Sequence, residues 1–268
     1  MPGTDNHVEL IGVGARPQTL YWRAPYRRAS ISKGGAMNNF ELAIAMVLDP
    51  KGAIREIEAR PRFLFPLLIT MFVTIGATFW YFKIVDFDWL IDATLRSNTS
   101  TKGMTEEQLA QIAKRLTRNT LMFSSLIAVP FVLVIIRLLE ALWYLLAGKV
   151  TKVRRSYKQW FALANWTTLP AVLAVLPAIP LLASSKQVQV DVATAISPLS
   201  LNGLFFHRAM GEPGYQLFTN LNVIQLFTMF LVVLGIKMWS GRSWLFALVY
   251  ALLPVALIGG VWAILALK

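Results

Sequence analysis

Residues Leu121–Ala183 read LMFSSLIAVPFVLVIIRLLEALWYLLAGKVTKVRRSYKQWFALANWTTLPAVLAVLPAIPLLA. The stretch divides into an apolar run over 121–148, a basic turn and a second apolar run over 160–183. As a helix the first run is about 42 Å long, more than the ~30 Å hydrocarbon core of a bilayer. Arg137 and Glu140 stand inside it, three residues apart and therefore on one helix face. A charge at such depth costs about 2.5–3.5 kcal/mol on insertion scales, so the two are expected to meet each other, another helix or a wet cavity. The turn carries Lys149, Lys152, Arg154, Arg155 and Lys158 and no acid. That is the signature of a cytoplasmic connection between two membrane spans.

Composition agrees. The 268 residues are 56% hydrophobic and 15% charged, where soluble domains run near 25% charged. The net charge of +12 sits beside apolar segments and not in a soluble basic domain, which argues against a nucleic-acid partner. The chain has no cysteine, which excludes disulfides, thiolate catalysis and cysteine-held metals.

Residues 1–36 lack a sustained apolar period and read as a disordered leader without a signal-peptide core. Met37 opens a more coherent segment, so the leader is read as an over-extended gene start in preference to a regulatory tail. Over 37–62, Phe40, Ile44, Val47 and Leu48 recur at helical spacing, Asp49-Pro50 interrupts as an N-cap and first helical residue, and Ile54 and Ile57 resume. Two readings stand for this cytoplasmic pair of amphipathic helices: lying on the membrane surface, or packed against the underside of a bundle.

Five spans follow, at about 63–84, 121–148, 160–183, 218–239 and 244–267, giving an all-α polytopic membrane protein. The third holds Pro170, Pro177 and Pro180 and is expected to kink or break, with Asn165, Thr167 and Thr168 polar near its cytoplasmic end. In the first non-cytoplasmic loop, an amphipathic helix starts near Thr105 and is expected to run on into the second span. Asp86, Asp88 and Asp92 lack the spacing of a calcium loop and read as solvated acids. In the second loop, 197–206 is apolar but too short to cross, and reads as an interfacial or re-entrant piece. With the N-terminus inside, 16 basic residues fall on the cytoplasmic side and 9 on the other, so the C-terminus is expected outside.

Leu48-Asp49-Pro50-Lys51-Gly52-Ala53, Arg60-Pro61, Gly148-Lys149, Gln159-Trp160-Phe161-Ala162-Leu163-Ala164, Ser197-Pro198-Leu199-Ser200-Leu201-Asn202 and Trp239-Ser240-Gly241-Arg242-Ser243 together resemble the Yip (Ypt/Rab-interacting protein) family, in its bacterial branch of five-span membrane proteins. The resemblance covers roughly 39–267. It implies a bacterial inner-membrane location, and the bacterial branch has no established biochemical activity to carry over. Eukaryotic relatives are associated with Rab-type GTPases and carry an Asp-Leu-Tyr-Gly-Pro motif near the first span. This sequence has no counterpart to that motif, so a GTPase partner is not carried over.

Three functions compete. A membrane-organising protein would use the amphipathic stretch and the basic turn, whose Lys149, Lys152, Arg154, Arg155 and Lys158 are candidate lipid-headgroup contacts, with the bilayer, other membrane proteins or a second copy as partners. A small transporter would use Arg137, Glu140 and Asn165 as a midplane polar site. An enzyme finds no support in HExxH, GxSxG or an intramembrane acid pair, and neither a metal nor a cofactor is expected.

Overall fold

The computed structural model describes residues 36–175, 188–197 and 199–266. The leader 1–35, Pro177, Pro180 and the far end of the third expected span lie outside the described residues, as does Lys268. Within them the protein is all-helical. Among the described residues, pairing of β type is limited to two isolated bridges, Val85–Val188 and Ser200–Asn222.

Helices α1 (Asn39–Leu48) and α2 (Pro50–Ala59) form because each begins on a side-chain cap. Asn38 and Glu41 make a reciprocal capping box on α1, and Asp49 accepts from Gly52 N with Pro50 at the first helical position of α2. The pair packs against the bundle: Leu42, Met46, Ala53, Ile54 and Ile57 are fully buried in the main core. The stripe read from sequence faces the other way. Phe40 and Leu48 are 70% and 78% exposed, and Ile44 and Val47 are exposed with them. Helix α1 is apolar on two sides, so spacing alone could not say which face the core takes.

Helix α3 (Leu64–Ile84) is followed by α4 (Phe87–Ser97), α5 (Glu106–Arg115) and α6 (Arg118–Thr151). The expected continuity of α5 into α6 does not occur. Leu116 is extended, and Thr117 caps a new helix by accepting from Thr120 N at 3.2 Å. Helix α7 (Tyr157–Thr168) starts on a Ser156–Gln159 capping box and gives way to a 3₁₀ turn at Leu169–Val175, where Pro170 has no N–H to continue the α-helical ladder. Short helices α8 (Val192–Ile196) and α9 (Tyr215–Asn220) precede α10 (Val223–Ser240) and α11 (Trp244–Ala266). A π-helical turn covers Asn202–Phe206, and His207 after it takes a left-handed conformation, its backbone N–H donating to Asn202 O.

Three described helices are long and apolar enough to cross a membrane: α3, α6 and α10. The described apolar part of α11, Trp244–Pro254, is shorter, as is α1. The main core gathers Trp160, Leu163 and Trp166 of α7 with Leu231, Ile236 and Trp239 of α10 and the buried faces of α1 and α2. A smaller core at the far end of α3 holds Tyr81, Phe82, Val85, Leu90 and Met122. Gly235 allows α7 and α10 to approach: a Cβ there would lie 2.7 Å from a Leu163 methyl.

Candidate functional site

Two polar sites stand out among the described residues. The first is on α6. Arg137 Nη1 donates to Glu140 Oε2 at 2.5 Å and to Thr168 Oγ1 of α7 at 2.8 Å. Tyr144, one turn beyond Glu140, donates its hydroxyl to Glu140 Oε1 at 2.7 Å. Thr168 in turn donates to Ala164 O at 2.6 Å. Arg137 and Glu140 keep only 21% and 20% of their side-chain surface exposed, and the guanidinium Nε is buried with no partner. The cluster is a linear chain of donors and acceptors, from Tyr144 through Glu140 and Arg137 to Thr168, that holds α6 to α7 and pairs the two ions with each other. Asn165 is buried, and its amide nitrogen donates back to Phe161 O at 2.7 Å. No hydrogen bond among the described residues joins it to the pair; Thr168, one turn on, takes that place. Tyr144 was legible from its i+4 spacing to Glu140, but an aromatic residue in an apolar run reads first as core.

The height of this cluster follows from contacts at both ends. Arg118 Nη1 donates to Phe82 O at 2.6 Å, aligning the start of α6 with the end of α3. At 1.5 Å per residue, Arg137 is about 28 Å from Arg118 and Leu64 about 27 Å from Phe82. The other end agrees: Trp166, beside Thr168, donates its indole N–H to Arg62 O at 2.5 Å and stacks on Phe65 at 5.9 Å. The ionic pair is therefore level with the first turn of α3 and not with its middle. Helix α6 simply continues past α3 for the fourteen residues that separate Arg137 from Thr151.

The second site is the basic turn. Its five cations divide into two kinds. Arg155 is a tie: it donates to Glu58 Oε1 at 2.5 Å and to Trp239 O at 3.3 Å, and its guanidinium lies 5.8 Å from the Trp239 ring centre. Gln159 adds a bond to Glu58 O at 2.9 Å. Lys149, Lys152, Arg154 and Lys158 are exposed, and none forms an ion pair among the described residues. An open cleft of about 590 Å³ lies here, lined on its polar side by Lys149, Lys152, Arg154, Arg155, Ser156 and Gln159.

Three features build the turn. Lys152 takes a left-handed conformation (φ 63°), which ends α6 and lets Val153 N donate to Gly148 O at 2.9 Å. Glycine is needed at 148, because a Cβ would lie 2.8 Å from Val153 O and 3.1 Å from Tyr250 Oη. Arg242, in the α10–α11 hairpin, donates to Thr151 O at 2.6 Å, so both hairpins end at one level.

On the far side of the bundle, Asp86 caps α4 and accepts from Gln189 Nε2 at 2.9 Å. That hydrogen bond, with the Trp89 N–H, lowers the Asp86 pKa below the ordinary carboxylate value. Asp92 pairs with Arg96 at 2.7 Å and Asp88 lies in the first turn of α4. No group of three or more His, Cys, Asp or Glu residues suited to a metal occurs among the described residues.

The family model for the Yip1 domain matches residues 44–265 of this chain. No curated protein and no solved structure matches it.

Proposed function

We propose, on the premise that this chain belongs to the Yip1 domain family, that it is a non-enzymatic membrane-organising protein. It is an integral membrane protein, and its apolar helices fit a bilayer environment. In this reading it crosses a bacterial inner membrane five times, with its N-terminus in the cytoplasm and its C-terminus on the opposite side. Its working surface is the cytoplasmic end, where lipid and other membrane proteins, or a second copy, are gathered.

One observation carries the reading. Helices α1 and α2 are held against the bundle through Glu58–Arg155 and a buried face, yet α1 turns Phe40, Ile44, Val47 and Leu48 outward. An apolar stripe displayed by a helix already packed on its other side needs an apolar surface to cover it, and the bilayer is that surface. The transport alternative, built on Arg137, Glu140 and Asn165, is weaker. The pair's charges are spent on each other, Tyr144 and Thr168, and it stands level with the first turn of α3.

The absence of native cysteine makes the test direct. A fluorophore on Ile44→Cys or Leu48→Cys, in liposomes, should be quenched by spin-labelled lipid, and one on the exposed Glu107→Cys of α5 should not. Equal quenching at all three positions would remove the membrane-facing role of α1.

A further inference from the structure

We propose that the cleft between the end of α6 and the start of α7 binds the phosphate headgroup of an anionic phospholipid, through Lys149, Lys152 and Arg154. The proposal deepens the reading above and rests on it for the side of the membrane the cleft faces.

The argument starts from charge. Three exposed cations line one 590 Å³ cleft and none forms an ion pair among the described residues, whereas Arg155, on the same wall, is held by Glu58 and Trp239 O. Like charges so close repel one another, and an anion between them relieves that repulsion. The positive end of the twelve-residue α7 adds to the same potential. The backbone is committed to this arrangement. Lys152 occupies a left-handed conformation usual for glycine, and Lys149 before it and Arg154 after it line the same cleft.

The shared chemistry is that of a phosphate, and two sources could supply it: a lipid headgroup or free phosphate. The surroundings favour the lipid. Leu142, Leu146 and Val150 run along α6 beside the cleft as an exposed apolar stripe, and Val150 is 84% exposed. At the same end, tied to α6 by Arg242, Trp244 and Leu245 are exposed at the start of α11. Aromatic and aliphatic side chains next to cations form the boundary that a phospholipid matches, its phosphate in the cleft and its chains along the stripe. Free phosphate would leave that stripe uncovered.

The test uses the full-length protein in zwitterionic detergent, titrated with dioctanoyl phosphatidylglycerol, dioctanoyl phosphatidylcholine and inorganic phosphate, with bound ligand read by native mass spectrometry. Phosphatidylglycerol should bind in preference to the other two. Each of Lys149→Gln, Lys152→Gln and Arg154→Gln should weaken it about fivefold, and the triple variant about a hundredfold. Lys158→Gln, on the same turn but outside the cleft, should leave it unchanged, which separates the site from a general basic edge. All four side chains are exposed, so folding is expected to survive, and an unaltered elution volume checks it. Equal binding of phosphatidylcholine, or an unaffected triple variant, would overturn the site. Phosphate binding as well as phosphatidylglycerol would overturn the lipid assignment. Because this titration reads headgroup binding in detergent, and the α1 quenching reads depth in a bilayer, failure of one leaves the other standing.

Discussion

The Arg155 guanidinium lies 2.5 Å from the Glu58 carboxylate, across 97 residues of chain. That contact joins the turn after α6 to the end of α2, and with Trp239 O it brings three separate segments to one point. Arg155 is suited to this because its Nη2 carries two N–H groups, which donate to the carboxylate and the carbonyl while the guanidinium lies over the indole. The tie sets Arg155 apart from Lys149, Lys152, Arg154 and Lys158, which form no ion pair among the described residues.

Replacing Arg155 should loosen the N-terminal helices without unfolding the bundle. Arg155→Ala is expected to speed tryptic cleavage around Arg60 and Arg62 several-fold, while Lys158→Ala leaves the rate unchanged. Arg155→Lys should fall between wild type and Arg155→Ala, since an ammonium can still meet Glu58 but loses the Nη1 bond to Arg154 O and the guanidinium contact with the Trp239 ring. Limited proteolysis in detergent reads all three.

Breaking one half of the ionic pair on α6 should cost more than removing both. Glu140→Leu leaves the Arg137 guanidinium with Thr168 alone, and a loss of about 2–3 kcal/mol is expected. Arg137→Leu/Glu140→Leu together should recover at least half of that. Thermal unfolding in detergent decides the matter: equal losses in the single and double variants would mean that the pair is not a coupled unit.

The two close-packed glycines should differ in their response. Gly148→Ala drives a Cβ to 2.8 Å from a backbone oxygen that cannot move without opening the turn, and a loss of about 2–3 kcal/mol is expected. Gly235→Ala meets the end of the Leu163 side chain, which can rotate, so its loss should be under about 1.5 kcal/mol. The same unfolding measurement ranks them.

Acid should weaken the link between α4 and residues 188–190. Asp86 has its pKa lowered by the Gln189 amide and the Trp89 N–H, so its carboxylate stabilises the fold above the unfolded-state pKa, about 4, and that stabilisation is lost as pH falls through the lower folded value. The midpoint of thermal unfolding of wild type should therefore fall more steeply than that of Asp86→Asn as pH drops below about 4. Parallel curves would show that Asp86 contributes nothing to the acid response.

Much of the architecture was legible in the sequence because it rests on local chemistry. The length and apolarity of α3, α6 and α10, the capped start of α2 at Asp49-Pro50, the break of the third apolar run at Pro170 and the nearness of Arg137 to Glu140 all follow from residues within a few positions of one another. A helix cap, a missing N–H and a three-residue separation act at short range, so no tertiary contact is needed to predict them.

Only the tertiary structure decided which face of α1 is buried, that Arg155 is a tie while its basic neighbours form no ion pair among the described residues, and that the ionic pair is level with the start of α3. Each of these depends on what a distant segment offers: Trp166 and Arg62 for height, Glu58 for Arg155, and the packing of α7 for α1. The physical reason is common to them. Periodicity states that a helix has an apolar face and charge states that a group needs a counterpart, but the partner's position is set by how helices of unequal length stack against each other, and that information is spread along the whole chain.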